Sequence, residues 1–176
     1  MILMELLTPK SKEMKKQYNI YIKKLTTQEL GYRKGRLMTG GYFYISKSAI
    51  GSFFKELDKY ILNDFLKLEF NDPLAPGNTI QASYVYHNDK YAIKNGTRNE
   101  YRIYHNRDIA TNNLHFQPHE IVVFFKENKD KYRLEHYTRN NELYKLLSEI
   151  IEKGNLRGNH ALLTTKEYHD YLNNDK

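Results

Sequence analysis

The run from Lys94 to Arg102 combines cationic, amide, carboxylate and aromatic side chains in one short segment. Such side chains can read the edges of DNA bases, because arginine donates two hydrogen bonds to guanine, asparagine pairs with adenine and glutamate accepts from the cytosine amino group. A hydrophobic core could hold this cluster only at a large desolvation cost, so we expect it to face solvent or a charged partner. A solvated hairpin loop has the same composition. The candidate residues are Lys94, Asn95, Thr97, Arg98, Asn99, Glu100, Tyr101 and Arg102.

Basic charge is concentrated in two segments of the chain. Residues 23–36 hold five cations against one carboxylate, a local charge of +4, and residues 94–107 hold four against one, a local charge of +3. Together they match the net charge of the whole chain, +7. Two basic loops on an otherwise neutral body are the expected footprint of a phosphate-binding surface. The first segment adds the candidate DNA-binding residues Arg33, Lys34 and Arg36.

Length and composition predict one domain that folds without disulfides or metal. The chain has 176 residues, enough for a real core, and it contains no cysteine. The apolar opening of the chain is too short to span a bilayer, and its basic residues follow it, unlike those of a signal peptide. We therefore expect a soluble, cytoplasmic protein without contact to a membrane. The predicted organisation is a polar, basic tail over residues 1–17, one domain over 18–172, and a polar end over 173–176 that would link to a following domain.

Apolar and β-favouring runs predict a mainly β fold with short flanking helices. Strands are expected at residues 19–25, 42–45, 65–70, 79–87, 100–104, 121–126, 132–137 and 160–163. The strand at 65–70 reads as a sheet edge. Helical spacing predicts helices from Ser46 through Leu57, as a short turn over 58–62, over 143–151 after an Asn140 or Asn141 cap, and from Thr164 or Thr165 through Leu172.

Two segments between predicted strands are candidates for protruding arms. Residues 26–41, here called arm 1, lose all periodicity and contain four glycines, and such a length is unusual unless the loop has a task. Residues 88–99, here called arm 2, lie between two strands and contain the start of the base-reading run. Asn88 with Asp89, or Asn95 with Gly96, could form the turns there that need positive φ.

The order of elements and the arm 2 residues resemble the B3-type DNA-recognition domain of restriction endonucleases, as in the EcoRII amino-terminal and BfiI carboxyl-terminal domains. Residues 97–103 read T-R-N-E-Y-R-I and reproduce the T-R-N-E-x-R-I run of the EcoRII recognition arm. Other similar stretches are the first strand, the passage from arm 1 into Tyr42–Ser46, the strand over residues 82–86, and Gly158–Tyr168.

This resemblance implies a DNA-binding pseudobarrel of about seven strands in which two protruding arms clasp a duplex and enter its major groove. The family's base-reading positions fall on Arg98, Glu100, Tyr101 and Arg102. The EcoRII arm has lysine at the positions of Gly96 and Tyr101, so the bases read there should differ. The chain is also similar to the amino-terminal region of the McrB-like subunit of LlaJI-type restriction systems, which implies a fused or associated GTP-driven motor and nuclease subunit as partner.

Other functions find less support in the sequence. The nearest approach to a nuclease motif is Glu100-Tyr101-Arg102, and an arginine cannot serve as the base because it stays protonated. No phosphate-binding loop occurs, and Pro118 argues against a helical His115–His119 metal pair. We therefore expect no catalytic site, metal or cofactor. The alternative is single-stranded nucleic-acid binding by rings on a sheet face, which Tyr42, Tyr44, Tyr84 and Tyr86 could supply, although core packing explains their alternation better. Tyr44 is also kept as a candidate for duplex contact.

Overall fold

One curled eight-stranded sheet forms the body of the protein in a computed structural model that describes residues 16–30, 32–33, 36–37, 41–72, 75–104, 116–154 and 158–174. Its strands are β1 (Ile20–Lys24), β4 (Tyr42–Ile45), β5 (Phe65–Asn71), β6 (Thr79–His87), β7 (Glu100–Tyr104), β8 (Ile121–Lys126), β9 (Lys131–Tyr137) and β10 (His160–Leu163). The strand order is β10-β1-β8-β9-β5-β6-β7-β4, and every neighbouring pair is antiparallel except β5 with β9. Within arm 1, β2 (Tyr32–Arg33) pairs with β3 (Arg36–Leu37).

The mainly β pseudobarrel prediction is confirmed, with eight strands in the main sheet of the described residues rather than about seven. Side chains alternate along β6 between a buried and a more exposed face, because successive residues of a strand point to opposite sides. The buried face curls around an aromatic core that includes Tyr21, Phe54, Tyr84, Phe124 and Tyr132. Most of the tyrosines and phenylalanines in the described residues thus pack inside.

A second apolar cluster explains why β1 is buried on both faces. Ile20 and Ile22 point away from the aromatic core and pack against α2 (Tyr144–Lys153) and its neighbours. This helix was predicted, and Asn141 Oδ1 accepts a hydrogen bond of 2.9 Å from the Leu143 amide before its start. The final helix, α3 (Thr165–Asn174), follows Thr164, one of the two predicted caps. The Thr164 hydroxyl accepts a hydrogen bond from the Glu167 amide, and the Glu167 carboxylate accepts from the Thr164 amide and hydroxyl.

Three local predictions were wrong. Only a 3₁₀ turn, Lys47–Ala49, forms where a longer helix was expected, because Gly51 turns the chain with φ of +79° and Phe53 and Phe54 enter the core from the loop. Residues 58–62 form bends and a turn rather than a helical turn. A one-turn helix that the sequence did not indicate, α1 (Asp89–Ala92), lies in arm 2. Strand β5 is not an edge, since it lies between β9 and β6.

Side chains close the seam between the two ends of the curled sheet. The Ser46 amide after β4 donates a hydrogen bond of 3.3 Å to the Tyr21 hydroxyl on β1. Ser48 Oγ lies 2.8 Å from His160 Nε2 on β10. The sheet is therefore a half-barrel whose two edges are joined without a continuous ladder.

Candidate nucleic-acid interface

The outer face of β4, β6 and β7 carries a polar and aromatic surface that we call the platform: Tyr42, Tyr44, Val85, His87, Glu100, Arg102 and Tyr104. The register places Tyr44 opposite Arg102 and Arg102 opposite Val85, and Tyr42 opposite Tyr104. Because side chains alternate along β7, its inward residues are Tyr101 and Ile103. The platform is therefore one face of a rigid sheet rather than a loop.

The two arms leave the sheet at opposite ends of the β4–β7 pairing. Arm 1 enters β4 at Tyr42, which pairs with the last residue of β7, Tyr104, whereas arm 2 enters β7 at its other end, Glu100. The paired segment covers four residue pairs, which corresponds to roughly 10 Å between the first and last pair. The platform thus lies between the bases of the two arms.

Arm 2 is built by hydrogen bonds from residues at its start. Asn88 is fully buried, and its amide nitrogen lies 3.2, 2.9 and 2.6 Å from the carbonyl oxygens of Asp58, Lys59 and Ile61. Its Oδ1 accepts from the Asn63 amide at 2.8 Å. These bonds fasten the 58–63 loop to the beginning of arm 2.

The turn that returns arm 2 to the sheet uses Asn95 and Gly96. Asn95 has φ of +65°, which confirms that this pair supplies the positive φ that the sequence required. A side chain at residue 96 would collide with the Asp89 carbonyl, so the backbone here admits only glycine. A lysine, which the similar EcoRII arm has at this position, would not fit this backbone.

Arg98 stands at the end of arm 2 with its guanidinium supported from behind. Its Nε donates to Asp89 Oδ2 at 2.8 Å, and its backbone amide donates to Asp89 Oδ1. These hydrogen bonds, the side-chain one above all, hold the pKa of Asp89 below its usual value. The Arg98 side chain is still 47% exposed. The guanidinium is therefore held on one side by Asp89 and partly open to solvent, and an accessible guanidinium can recognise guanine by two hydrogen bonds.

Arg102 is held on the platform instead. Its guanidinium carbon lies 4.1 Å from the centre of the Tyr42 ring, one terminal nitrogen donates to Glu100, and the other lies 3.3 Å from the Tyr104 hydroxyl. The side chain is only 17% exposed, and its buried Nε has no hydrogen-bond partner. Contact of Arg102 with a base would require exchange of the Glu100 carboxylate for a new acceptor.

His87 lies between the two arginines, since it is close to Arg98 directly and to Arg102 through the Tyr104 hydroxyl. Its Nε2 lies 2.7 Å from the Tyr104 hydroxyl, and its Nδ1 lies 3.0 Å from Asn63 Oδ1 and 3.4 Å from an Arg98 terminal nitrogen. Burial lowers the pKa of His87, and the charges of Arg102 and Arg98 lower it further. A neutral imidazole is therefore favoured beneath two cations.

The remaining candidates of the base-reading run divide by exposure. Lys94, Asn95 and Thr97 are exposed on arm 2, Asn99 and Glu100 are half-buried, and Tyr44 is 40% exposed on the platform. Tyr101 lies in the core, where its ring stacks on Tyr86 and burial raises its pKa to about 12. Of the rings in the single-strand alternative, Tyr42, Tyr84 and Tyr86 are also buried.

Arm 1 is anchored at its base by a buried ion pair that the charge count did not reveal. Lys23 Nζ lies 2.8 Å from Glu29 Oε1, and both side chains are less than a tenth exposed. Lys23 is therefore unavailable to a phosphate group. Arg33 and Arg36 are paired residues of the β2–β3 hairpin, and Lys34 lies outside the described residues, as does Arg107 near the other basic segment.

Sequence reasoning missed Asp89, Glu29, His87 and Tyr104 as parts of this site. Asp89 and His87 are close to Arg98 only because arm 2 folds back, and Tyr104 is close to Arg102 because of strand alternation. Glu29 did carry a signal, since it is the one carboxylate in the basic segment 23–36. The described residues contain no group of three histidine or acidic side chains that could hold a metal ion, and His115 lies outside them.

Comparison with known proteins identifies the fold. No protein-family model matches the chain, and no curated protein matches it in sequence. A solved structure, the N-terminal domain of Helicobacter pylori LlaJI.R1, matches with a TM-score of 0.51 at 16% identity, over 84% of this chain and 98% of that one. At this identity the match shows a shared fold. In the described part of the chain, no helix is long and apolar enough to cross a membrane.

Proposed function

We propose that this chain is a target-recognition domain of a bacterial restriction-modification system, which binds double-stranded DNA in a sequence-specific manner. The observation that carries the proposal is the platform between two arms, with the supported Arg98 fork at the end of arm 2. A duplex laid on the platform would present its major groove to both arms. The fold likeness to the LlaJI.R1 domain supports this function, as does the B3-type arm motif.

Phosphate and base contacts would come from different residues. Arg33, Lys34, Arg36 and Lys94 would contact phosphates and position the domain without reading sequence. Arg98 would read a guanine, while Asn95, Thr97, Glu100 and Arg102 would contact neighbouring base edges, and Tyr44 would pack against the sugar-phosphate backbone. We leave Tyr101 out of this set because its ring is in the core, and Asn99 because its amide is bonded to the Tyr86 and Tyr91 hydroxyls on the other side of the chain.

Cleavage and nucleotide hydrolysis would belong to another domain or subunit. The resemblance in general pattern to LlaJI-type McrB-like subunits supports a GTP-driven motor and a nuclease as partners, inside the bacterial cytoplasm. The domain itself would need no cofactor. This part of the proposal depends on that similarity and on the fold likeness.

Selection of bound DNA from a random duplex pool tests the proposal. Enrichment of a short double-stranded motif is the expected result, and Arg98→Ala should weaken binding of that motif by about 1 to 3 kcal/mol while random DNA is bound as before. Arg133→Ala is the matched control, because Arg133 is also ion-paired and 40% exposed but lies on β9, away from the platform. Enrichment of single strands, or equal loss in both variants, would contradict the proposal.

A further inference from the structure

A pocket opens on the side of arm 2 that faces away from the platform. Asn99 and Tyr101 alternate with the platform residues along the chain, so they point into this pocket rather than toward Arg98. The cavity measures about 690 Å³, within the usual range for small-molecule sites. We call it the tyrosine pocket.

Four tyrosines shape the tyrosine pocket. Tyr86 and Tyr101 stack in parallel, with ring centres 4.1 Å apart, and form its floor. Tyr60 and Tyr91 stand at its mouth, and they are 71% and 44% exposed. The exposed Tyr60 and Tyr91 rings suit a planar ligand, because such a ligand can stack on them.

The polar groups of the pocket define which planar ligand fits. Asn99 Oδ1 accepts from the Tyr86 hydroxyl at 2.8 Å, and Asn99 Nδ2 donates to the Tyr91 hydroxyl at 3.0 Å, so the amide is oriented but keeps one further donor and acceptor position. Glu56 and Asp58 add carboxylate acceptors to the wall. An amide beside carboxylates favours a ring that carries an amino group.

Two lysines in the lining of the pocket supply the positive charge that would bind a phosphate attached to such a ring. Lys47 and Lys59 line the pocket, and Lys59 Nζ lies 4.9 Å from the centre of the Tyr60 ring at the mouth. An amino-bearing ring attached to a phosphate is a nucleotide of adenine, cytosine or guanine. The carboxylates lie in the same wall, so the base, rather than the phosphate, should be the buried part.

We infer that the tyrosine pocket binds one unpaired nucleobase with an exocyclic amino group, which is adenine, cytosine or guanine and not thymine. The base would come either from a single strand or by extrusion from the duplex on the platform, and the second source rests on the proposed function. A base that is already unpaired costs least to extrude. A mismatch at the extruded position should therefore tighten binding, which is the opposite of its effect at a position that the arms read.

The test is a scan of single mismatches through the selected duplex, measured as the affinity of the wild type, Tyr91→Ala and Tyr91→Phe. We expect one adenine, cytosine or guanine at which a mismatch tightens wild-type binding about tenfold. Tyr91→Ala should abolish this gain and Tyr91→Phe, which keeps the ring, should retain it. Ile61→Ala is the control, since Ile61 is 55% exposed on the same loop as Tyr60 but does not line the pocket.

The outcomes separate this inference from the proposed function. The base-binding role of the pocket would be overturned if the duplex is bound sequence-specifically but no mismatch tightens binding. It would also be overturned if the tightening persists in Tyr91→Ala and in Tyr60→Ala. In both cases duplex recognition would remain. If no duplex motif is selected, single strands of deoxyadenosine and deoxycytidine should still bind better than strands of thymidine, with a preference that Tyr91→Ala removes. Equal binding of all three strands would overturn the pocket by itself.

Discussion

The two arms are attached to the same sheet in different ways. Arm 2 is folded along its length, with a buried Asn88 at its start, the one-turn helix α1, a glycine against the Asp89 carbonyl, and Asp89 behind Arg98. Arm 1 is fastened at its base by the buried Glu29 with Lys23. A base-reading group needs a fixed orientation, whereas phosphate contacts tolerate variation. The fixed position of Arg98 therefore supports the base-reading role that we propose for arm 2, whereas the role that we propose for arm 1 rests on the cations in its sequence.

The largest effect is expected from Glu29→Gln, which should destabilise the protein by about 3 to 5 kcal/mol because Lys23 would be left buried without a charge partner. The free energy of unfolding, measured in urea, checks this. Glu127→Gln is the control, because Glu127 is 43% exposed and lies 4.0 Å from Lys131, and such surface pairs contribute at most about 1 kcal/mol. Equal stability of the two variants would show that arm 1 has no ionic anchor.

Asn88→Asp should come next. The substitution keeps the shape and the acceptor but removes the donor amide and sets a carboxylate against three carbonyl oxygens. We expect a loss of about 1 to 3 kcal/mol, with faster amide hydrogen exchange in arm 2 and the 58–63 loop. Asn128→Asp, where the side chain only accepts hydrogen bonds in an exposed turn, should be close to neutral. Protection of arm 2 that equals the wild type would contradict a preformed arm.

A smaller effect is expected from His87, which should make the free energy of unfolding depend on pH. Because its pKa is lowered from 6.5 in the folded state, the unfolded state binds more protons as the pH falls through about 6.5. The free energy of unfolding should decrease over that fall and level off below the folded-state pKa. The groups around His87 are Arg98, Arg102, Glu100 and Asp89, and His160 contributes with the same sign. Urea titrations from pH 7.5 to 5 should show a shallower decrease in His87→Asn; an unchanged slope would exclude His87.

The smallest effect is predicted for Lys34→Ala in arm 1. It should weaken binding of all duplexes about equally and reduce the slope of log affinity against log salt by about one, because one fewer counterion is released. Affinities between 50 and 200 mM salt measure this. A loss of sequence preference in this variant, of the kind expected for Arg98→Ala, would remove the distinction between the arms.

The sequence predicted the strands well because alternation of buried and exposed residues is a local signal, as in β6. It failed after Ser46, where Phe53, Phe54 and Leu57 have helical spacing but enter the core from turns around Gly51. In the site, the position of arm 2 and its positive-φ turn were predictable from residue types. The pairing of Asp89 with Arg98 was not, since it depends on chain reversal, and Glu29 was marked only as the one carboxylate of the basic segment 23–36. The burial of Tyr101 was predictable, because side chains alternate between the two faces of the strand over residues 100–104.

Glu29 has one more consequence, which concerns self-association. Strand β4 is an edge of the sheet, and its outward amides at Tyr42 and Tyr44 donate to the Glu29 carbonyl at 3.0 Å and to Glu29 Oε1 at 2.6 Å. An unprotected edge offers such groups to a strand of another molecule and invites aggregation. The residue that anchors arm 1 thus also blocks this edge, and its position helps to keep neighbouring copies from adding strands to the half-barrel.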